Sequence, residues 1–459
     1  MAAKKSAITF DASQSAEFDG AFDLLAGLVD WSVMDRDHPT RGNAVYTTSV
    51  VLWMLVYQRM NPDSSLEAAV KMLIESEPHF LPENKRVTQK TLSPHTGAYS
   101  RARTRLPRSA AEWLAAEVGQ SLVRATKGSF QGRRVFVIDG TTLALAPEPA
   151  LRKEFPPASN QYGEAVWPVA QLVVAHELSS GAALLPALGA MYGERAVSET
   201  SLVGDVIAQL PDDGIVMADS GFGIFAVAWK VQQTERDFVF RLTEQRFQAL
   251  RRQATVVEEG PESTACSLEW RPSAKERRSH PDLPADALLK VHLHEIRVHD
   301  SLTLHLVTSL PQSSGLLSDL YLKRGDIEID IRNLKVVLDT ENIRARSVEM
   351  FHKELLTALV AYNLVIQFRR QAAQFAGLPP RRLSFKRNWT TFRVFLWSKT
   401  FTEPAAWRDQ YCRALGYATQ DKIPNRPNRS FEREAYHKRH KSVAFKKRRP
   451  RDQDPKPET

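Results

Sequence analysis

The chain has 459 residues, with 62 Lys+Arg against 53 Asp+Glu and a formal net charge of +9. A composition that is 43% hydrophobic and 25% charged is that of a packed globular protein, which excludes disordered and fibrous classes for the chain as a whole. At roughly 150 residues per domain, two to four structural units are expected. The charge is unevenly spread: residues 421–459 hold 13 Lys/Arg against 6 Asp/Glu, so a nearly neutral body carries a basic tail. The longest nearly apolar runs, Val50 to Tyr57 and Leu355 to Ile366, are well short of the ~18–20 residues that span a bilayer. Acids interrupt the first 18 residues where an export signal would need an apolar core. Cys266 and Cys412 are the only cysteines, as suits a reducing compartment. A cytoplasmic protein without membrane contact is therefore expected.

In chain order, apolar residues recur at helical spacing from Ser49 to Ile74 and from Ala110 to Lys127, so residues 1–130 read as a helical region. Within it, Arg101, Arg103 and Arg105 lie in a basic stretch around Tyr99, which suits either a phosphate-contacting surface or a solvated charged face. The texture changes at Arg133. Val135 to Ile138, Trp167 to His176, Ala182 to Leu188, Ile215 to Ala218 and Phe238 to Leu242 read as strands, and Ser198 to Leu210 and Phe222 to Gln233 as helices. Together they predict an α/β core over 131–244 and 311–375. The segment 245–310 is charged, then strongly alternating from Leu289 to Val307, and reads as a β-strand insertion. His292 and His294 share a face there, but without cysteine partners they do not amount to a zinc site. Helical period returns from Leu316 to Val337 and from Val348 to Phe375. A helical region follows over 376–420 and the basic tail, expected to be disordered, over 421–459.

On a helix from Leu316 to Val337, Tyr321, Arg324, Glu328, Arg332 and Lys335 fall within an arc of roughly 80°, while Asp326 and Asp330 point the other way. Such a stripe can be a solvated face laced with i,i+4 ion pairs. Two further acids change the reading. Asp139 and Asp219 each end a short apolar strand, and acids placed there are costly unless hydrogen-bonded or bound to a cation. Two strand-end acids and one helical glutamate suggest a metal site.

Tyr321-Leu-Lys-Arg324-Gly-Asp-Ile-Glu328, followed by Lys335, matches the Y-x2-R-x3-E-x6-K motif of the DDE transposases of the bacterial insertion-sequence-four family at every position and spacing. Val137-Ile-Asp139-Gly-Thr-Thr-Leu-Ala-Leu145 resembles the family's first-Asp strand and Met217-Ala-Asp219-Ser-Gly-Phe222 its second-Asp segment. Ser220 stands where many members have arginine. The resemblance runs from about Leu92 to the basic tail. It implies a ribonuclease-H-like mixed sheet in which Asp139, Asp219 and Glu328 hold two Mg²⁺ ions, with Mn²⁺ able to substitute. It further implies cleavage and strand transfer at terminal inverted repeats of double-stranded DNA, joining to target DNA, a homodimer in the synaptic complex, and a place at the bacterial nucleoid. Residues 1–130 become a DNA-binding region. Tyr321, Arg324, Arg332 and Lys335 become phosphate contacts, and Trp270, in the insertion, becomes a candidate for stacking on a flipped base in a hairpin intermediate. A decayed DNA-binding regulator and a ribonuclease-H-like nuclease without strand transfer are the alternatives.

Overall fold

The computed structural model describes residues 21–40, 42–61, 63, 65–75, 81–161, 163–337, 343–397 and 404–424. The basic tail therefore lies outside the described residues from 425 onward, and so do residues 1–20 of the N-terminal region. Among the described residues, seven helices come first: α1 (Ala21–Ala26), α2 (Trp31–Asp37), α3 (Thr48–Met60), α4 (Leu66–Glu75), α5 (Lys85–Thr88), α6 (Gly97–Arg105) and α7 (Arg108–Arg124). The α/β core then runs β1 (Val135–Ala144), α8 (Pro149–Glu154), the short hairpin β2 (Ser159–Asn160) and β3 (Gly163–Glu164), β4 (Val169–Glu177), β5 (Ala187–Ala190), α9 (Glu199–Ile207), β6 (Ile215–Ala218), α10 (Phe225–Gln232) and β7 (Asp237–Arg241).

Residues after β7 add α11 (Glu244–Arg251), β8 (Thr255–Glu259), β9 (Ser263–Trp270), α12 (Ala274–Ser279), β10 (Leu289–His299) and β11 (Leu302–Thr308). The last helices are α13 (Ser314–Tyr321), α14 (Asp326–Arg332), α15 (Val348–Phe375), α16 (Phe385–Trp397) and α17 (Pro404–Ala418). The nine-stranded sheet has the order β5-β4-β1-β6-β7-β11-β10-β9-β8. Within its first five strands β1, β6 and β7 pair in parallel and β4 runs antiparallel between β1 and β5, the topology of a ribonuclease-H-like sheet. The insertion does not fold apart from this sheet. Its strand β11 pairs antiparallel with β7 through Leu306 to Thr308, so β8 to β11 prolong the same sheet.

Period-two alternation explains why the central strands are apolar throughout. Val135, Val137, Ile215 and Met217 pack on one face with α13, α14 and α15, whereas Phe136, Ile138, Val216 and Ala218 pack on the other with α9 and α10. Helix α15 is buried around most of its circumference, between the sheet and α3, α7, α16 and α17. Its apolar run belongs to the core, and among the described residues no helix is long and apolar enough to cross a membrane. Described residues up to Lys422 form one compact unit, in which α3 and α7 pack directly on α15.

Three elements differ from the sequence reading. The strand expected over Ala182 to Leu188 begins only at Ala187 and runs to Ala190. Strand β1 continues to Ala144 because its antiparallel pairing with β4 extends six residues past the parallel pairing with β6. The single helix expected over Leu316 to Val337 is broken: a 3-10 turn spans Leu322–Gly325 and a π turn spans Asn333–Val337, leaving α14 only seven residues long.

Candidate active site

Strand register brings the first two acids together. Ile138 pairs with Ala218 in the parallel ladder, so Asp139 and Asp219 are the next residues on neighbouring strands, whose backbones lie about 4.8 Å apart. By alternation Asp139 continues the face of Val135 and Val137, which is the face covered by α13 and α14. The Gly140 N–H donates to Asp139 Oδ1 at 2.8 Å, and the Gly221 N–H donates to Asp219 Oδ1 at 2.8 Å.

Burial pushes the Asp139 carboxyl up to about 6, and the negative charges of Asp219 and Glu199 add to this, against the opposing pull of the Gly140 N–H and Arg324. Glu199, the first residue of α9, is a carboxylate that sequence reasoning missed. It accepts from Gln171 Nε2 at 2.9 Å and lies so close to Gly140 that a Cβ there would collide with it. Only the fold could reveal this, because Glu199 reads locally as an ordinary first-turn acid behind the Ser198 cap.

The motif residues converge on the same place despite the broken helix. Arg324 Nη1 is 3.8 Å from Asp139 Oδ2, and Arg324 Nη2 is 3.1 Å from Glu328 Oε1, so one guanidinium bridges a strand acid and the helical acid. Lys335 donates to the Thr142 carbonyl at 3.1 Å and to Thr141 Oγ1 at 3.3 Å, just beyond Asp139 on β1. Tyr321 is buried, its hydroxyl has no hydrogen-bond partner among the described residues, and Arg324, Arg241, Asp219 and Asp139 all act on it electrostatically. Burial raises its phenol well above the ordinary value. Arg332, one turn after Glu328 and the last residue of α14, is exposed.

Other sequence candidates are placed differently from expectation. Trp270 is 4% exposed: with Cys266 and Leu268 it occupies the inward register of β9, and its ring meets Phe225 edge-on at 5.4 Å. Its face is packed in the core and is not presented to a base. Arg103 is engaged with Glu354 at 2.8 Å, a carboxylate it shares with Arg59, so it joins α3 and α6 to α15. Arg101 and Arg105 are exposed.

Whether a cation fits is decided by the donors. Among the described residues no three acids or histidines converge closely enough to form a closed metal site. The positive charge between Asp139 and Glu328 is the Arg324 guanidinium, a stand-in for a cation. Two adjacent carboxylates, one held near 6 by burial and by its neighbours' charge, and an orphaned buried hydroxyl suit a hard divalent cation with its bound oxygens.

A ribonuclease-H-like sheet with one acid inside its first strand, where the parallel pairing ends, a second just past the neighbouring parallel strand and a third on the covering helix defines a class of phosphoryl-transfer nucleases and recombinases. The transposase DDE domain matches residues 130–364, and the chain belongs to this DDE transposase family. It is 24% identical over 312 residues to the transposase InsG of insertion sequence element IS4 from Escherichia coli K12, covering 66% of this chain and 67% of that protein. Among solved structures, a piggyBac transposase synaptic complex with hairpin DNA aligns at 10% identity over 91% of this chain and 87% of that one, with a TM-score of 0.40.

Proposed function

We propose that the protein cleaves and joins DNA at the terminal inverted repeats of an insertion sequence, with Asp139, Asp219 and Glu328 as the catalytic carboxylates and Mg²⁺ as the cofactor. The observation that carries this reading is the side-by-side placement of Asp139 and Asp219 just past the last parallel pair of β1 and β6, linked to Glu328 through Arg324. Asp139 and Asp219 would hold one or two divalent cations, with Glu328 completing the set once Arg324 turns to substrate. Bound there, the metal supplies Lewis-acid polarisation of the scissile phosphate and stabilises the leaving 3′ oxygen.

The remaining chemistry belongs to the chain. Arg324 offers a planar fork to two non-bridging oxygens, Lys335 a point charge, and the Tyr321 hydroxyl a donor in a desolvated position. Two in-line displacements at one site, the first by water and the second by the freed 3′ hydroxyl, account for cleavage and then joining. The helical region 1–130, with Arg101 and Arg105, and the exposed Arg332 are the proposed contacts to double-stranded DNA, and synapsis of two ends calls for a homodimer.

The test is incubation with a supercoiled plasmid carrying the DNA that flanks this gene on both sides, with and without Mg²⁺ or Mn²⁺. Metal-dependent cleavage followed by joined products is expected. Cleavage without joining would make the protein a nuclease, and binding without cleavage a regulator. Full activity in Glu328→Gln would remove that residue from the catalytic set.

A further inference from the structure

Behind the catalytic helix lies a buried ion network that the chemistry described so far does not use. Asp330 sits two residues after Glu328, on the opposite side of α14, and is 0% exposed. Arg381, on the 3-10 turn Pro380–Arg382, grips it with both ends of its fork: Nη1 donates to Oδ1 at 2.8 Å and Nη2 to Oδ2 at 2.7 Å. The same guanidinium donates through Nε to the Leu178 carbonyl at 2.9 Å, just after β4, and approaches Asp326 at 3.8 Å. Arg369 of α15, also buried, donates to the Ser180 carbonyl beside Asp330. His176 of β4 lies 3.9 Å from Asp330. The turn after β4 is shaped for this approach. Gly181 has φ +81, and a Cβ there would stand 2.8 Å from Arg369 Nη2 and 3.2 Å from Asp330 Oδ1.

The helix that carries Glu328 needs such an anchor. The 3-10 turn before α14 and the π turn after it interrupt the regular hydrogen-bond ladder on both sides. Ile327 and Ile331 are buried, but apolar contacts do not fix rotation of a short helix as a bidentate pair does. We propose that Asp330 and Arg381 are positioning residues: they set the rotation and depth of α14, and through it the reach of Glu328 toward Asp139 and Asp219. This rests on the catalytic assignment proposed above. A buried ion pair is in general weak as a source of stability, and replacing both partners by apolar residues of similar size is often neutral or stabilising, which separates position from stability.

The experiment compares wild type, Arg381→Lys, Asp330→Asn and the double variant Asp330→Leu/Arg381→Met. It measures thermal unfolding, single-turnover cleavage of the flanking-DNA plasmid, and the Mn²⁺ concentration giving half-maximal rate. Arg381→Lys keeps the charge but loses the fork, and should slow cleavage at least tenfold while raising the Mn²⁺ requirement severalfold. The double variant should regain the wild-type melting temperature and remain slow. If the double variant recovers both stability and rate, or if Arg381→Lys loses stability with an unchanged Mn²⁺ requirement, the network is structural only and the proposal fails. A wild-type protein with no metal-dependent cleavage would instead overturn the functional reading. In that case Mn²⁺ binding followed by electron paramagnetic resonance still decides the positioning role: equal binding in wild type and Arg381→Lys rejects it.

Discussion

The strand acids and the helix acid are held in different ways. Asp139 and Asp219 extend two apolar strands that are buried on both faces, so their spacing follows from ladder register and from the packing of Val135, Val137, Ile215 and Met217. Glu328 belongs to a seven-residue helix between two irregular turns, with a side chain 57% exposed against 21% for Asp139. The strands preorganise half of the site through the core itself. The other half depends on side-chain contacts, Arg324 in front and Asp330 with Arg381 behind. A site divided in this way has a rigid floor and an adjustable wall.

The sharpest way to break the comparison is to remove one acid from each half. Asp139→Asn and Glu328→Gln should each lower the cleavage rate by about a thousandfold. Mn²⁺ binding, measured calorimetrically, should be lost in the first and only weakened in the second, where both strand acids remain. Next in size is the floor. Met217 is 0% exposed beneath Asp219, and Met217→Ala should cost about 2–5 kcal/mol in urea unfolding through the cavity it leaves.

Smaller again is the effect of pH. Asp139 is raised from an ordinary 3.8 to about 6, so protons compete with the cation below that value. The metal concentration for half-maximal rate should rise up to about tenfold for each unit below pH 6. Without metal, stability contributed by this group is present below 3.8 and lost as pH rises through about 6, because the unfolded chain ionises it first. Asp139→Asn should flatten that slope in pH-dependent melting. The smallest expected effect is that of Trp270→Phe, a core substitution costing roughly 1 kcal/mol and leaving cleavage of plasmid ends unchanged. A selective loss of hairpin opening in that variant would restore a base-contacting role.

Much of this molecule was legible before its fold was known. The short β-branched strands around Ile138 and Ala218 were readable because their neighbours are apolar on both faces. The spacing of Tyr321, Arg324, Glu328 and Lys335 identified the family, whose DDE domain match covers 130–364. Helix α15 was readable to its last residue from its period. Less local features were not readable. The wheel drawn through the motif assumed one unbroken helix, but a 3-10 turn at Leu322–Gly325 and a π turn at Asn333–Val337 break it on either side of α14. Trp270 was a base-stacking candidate through the family resemblance alone, but β11 docks on β7, and the inward register of β9 packs the ring against Phe225.

The sequence alone determined the chemistry on offer: two strand-borne aspartates, a glutamate with cationic neighbours, and the hydrophobic periods that build the elements. Those are properties of residues near one another in the chain, where backbone geometry translates spacing directly into a face. Tertiary structure alone decided which of these groups meet. Glu199 against Gly140, Arg324 on Asp139, and Arg381 on Asp330 are contacts between distant segments. They are set by sheet register and by burial of charge, which no local pattern encodes.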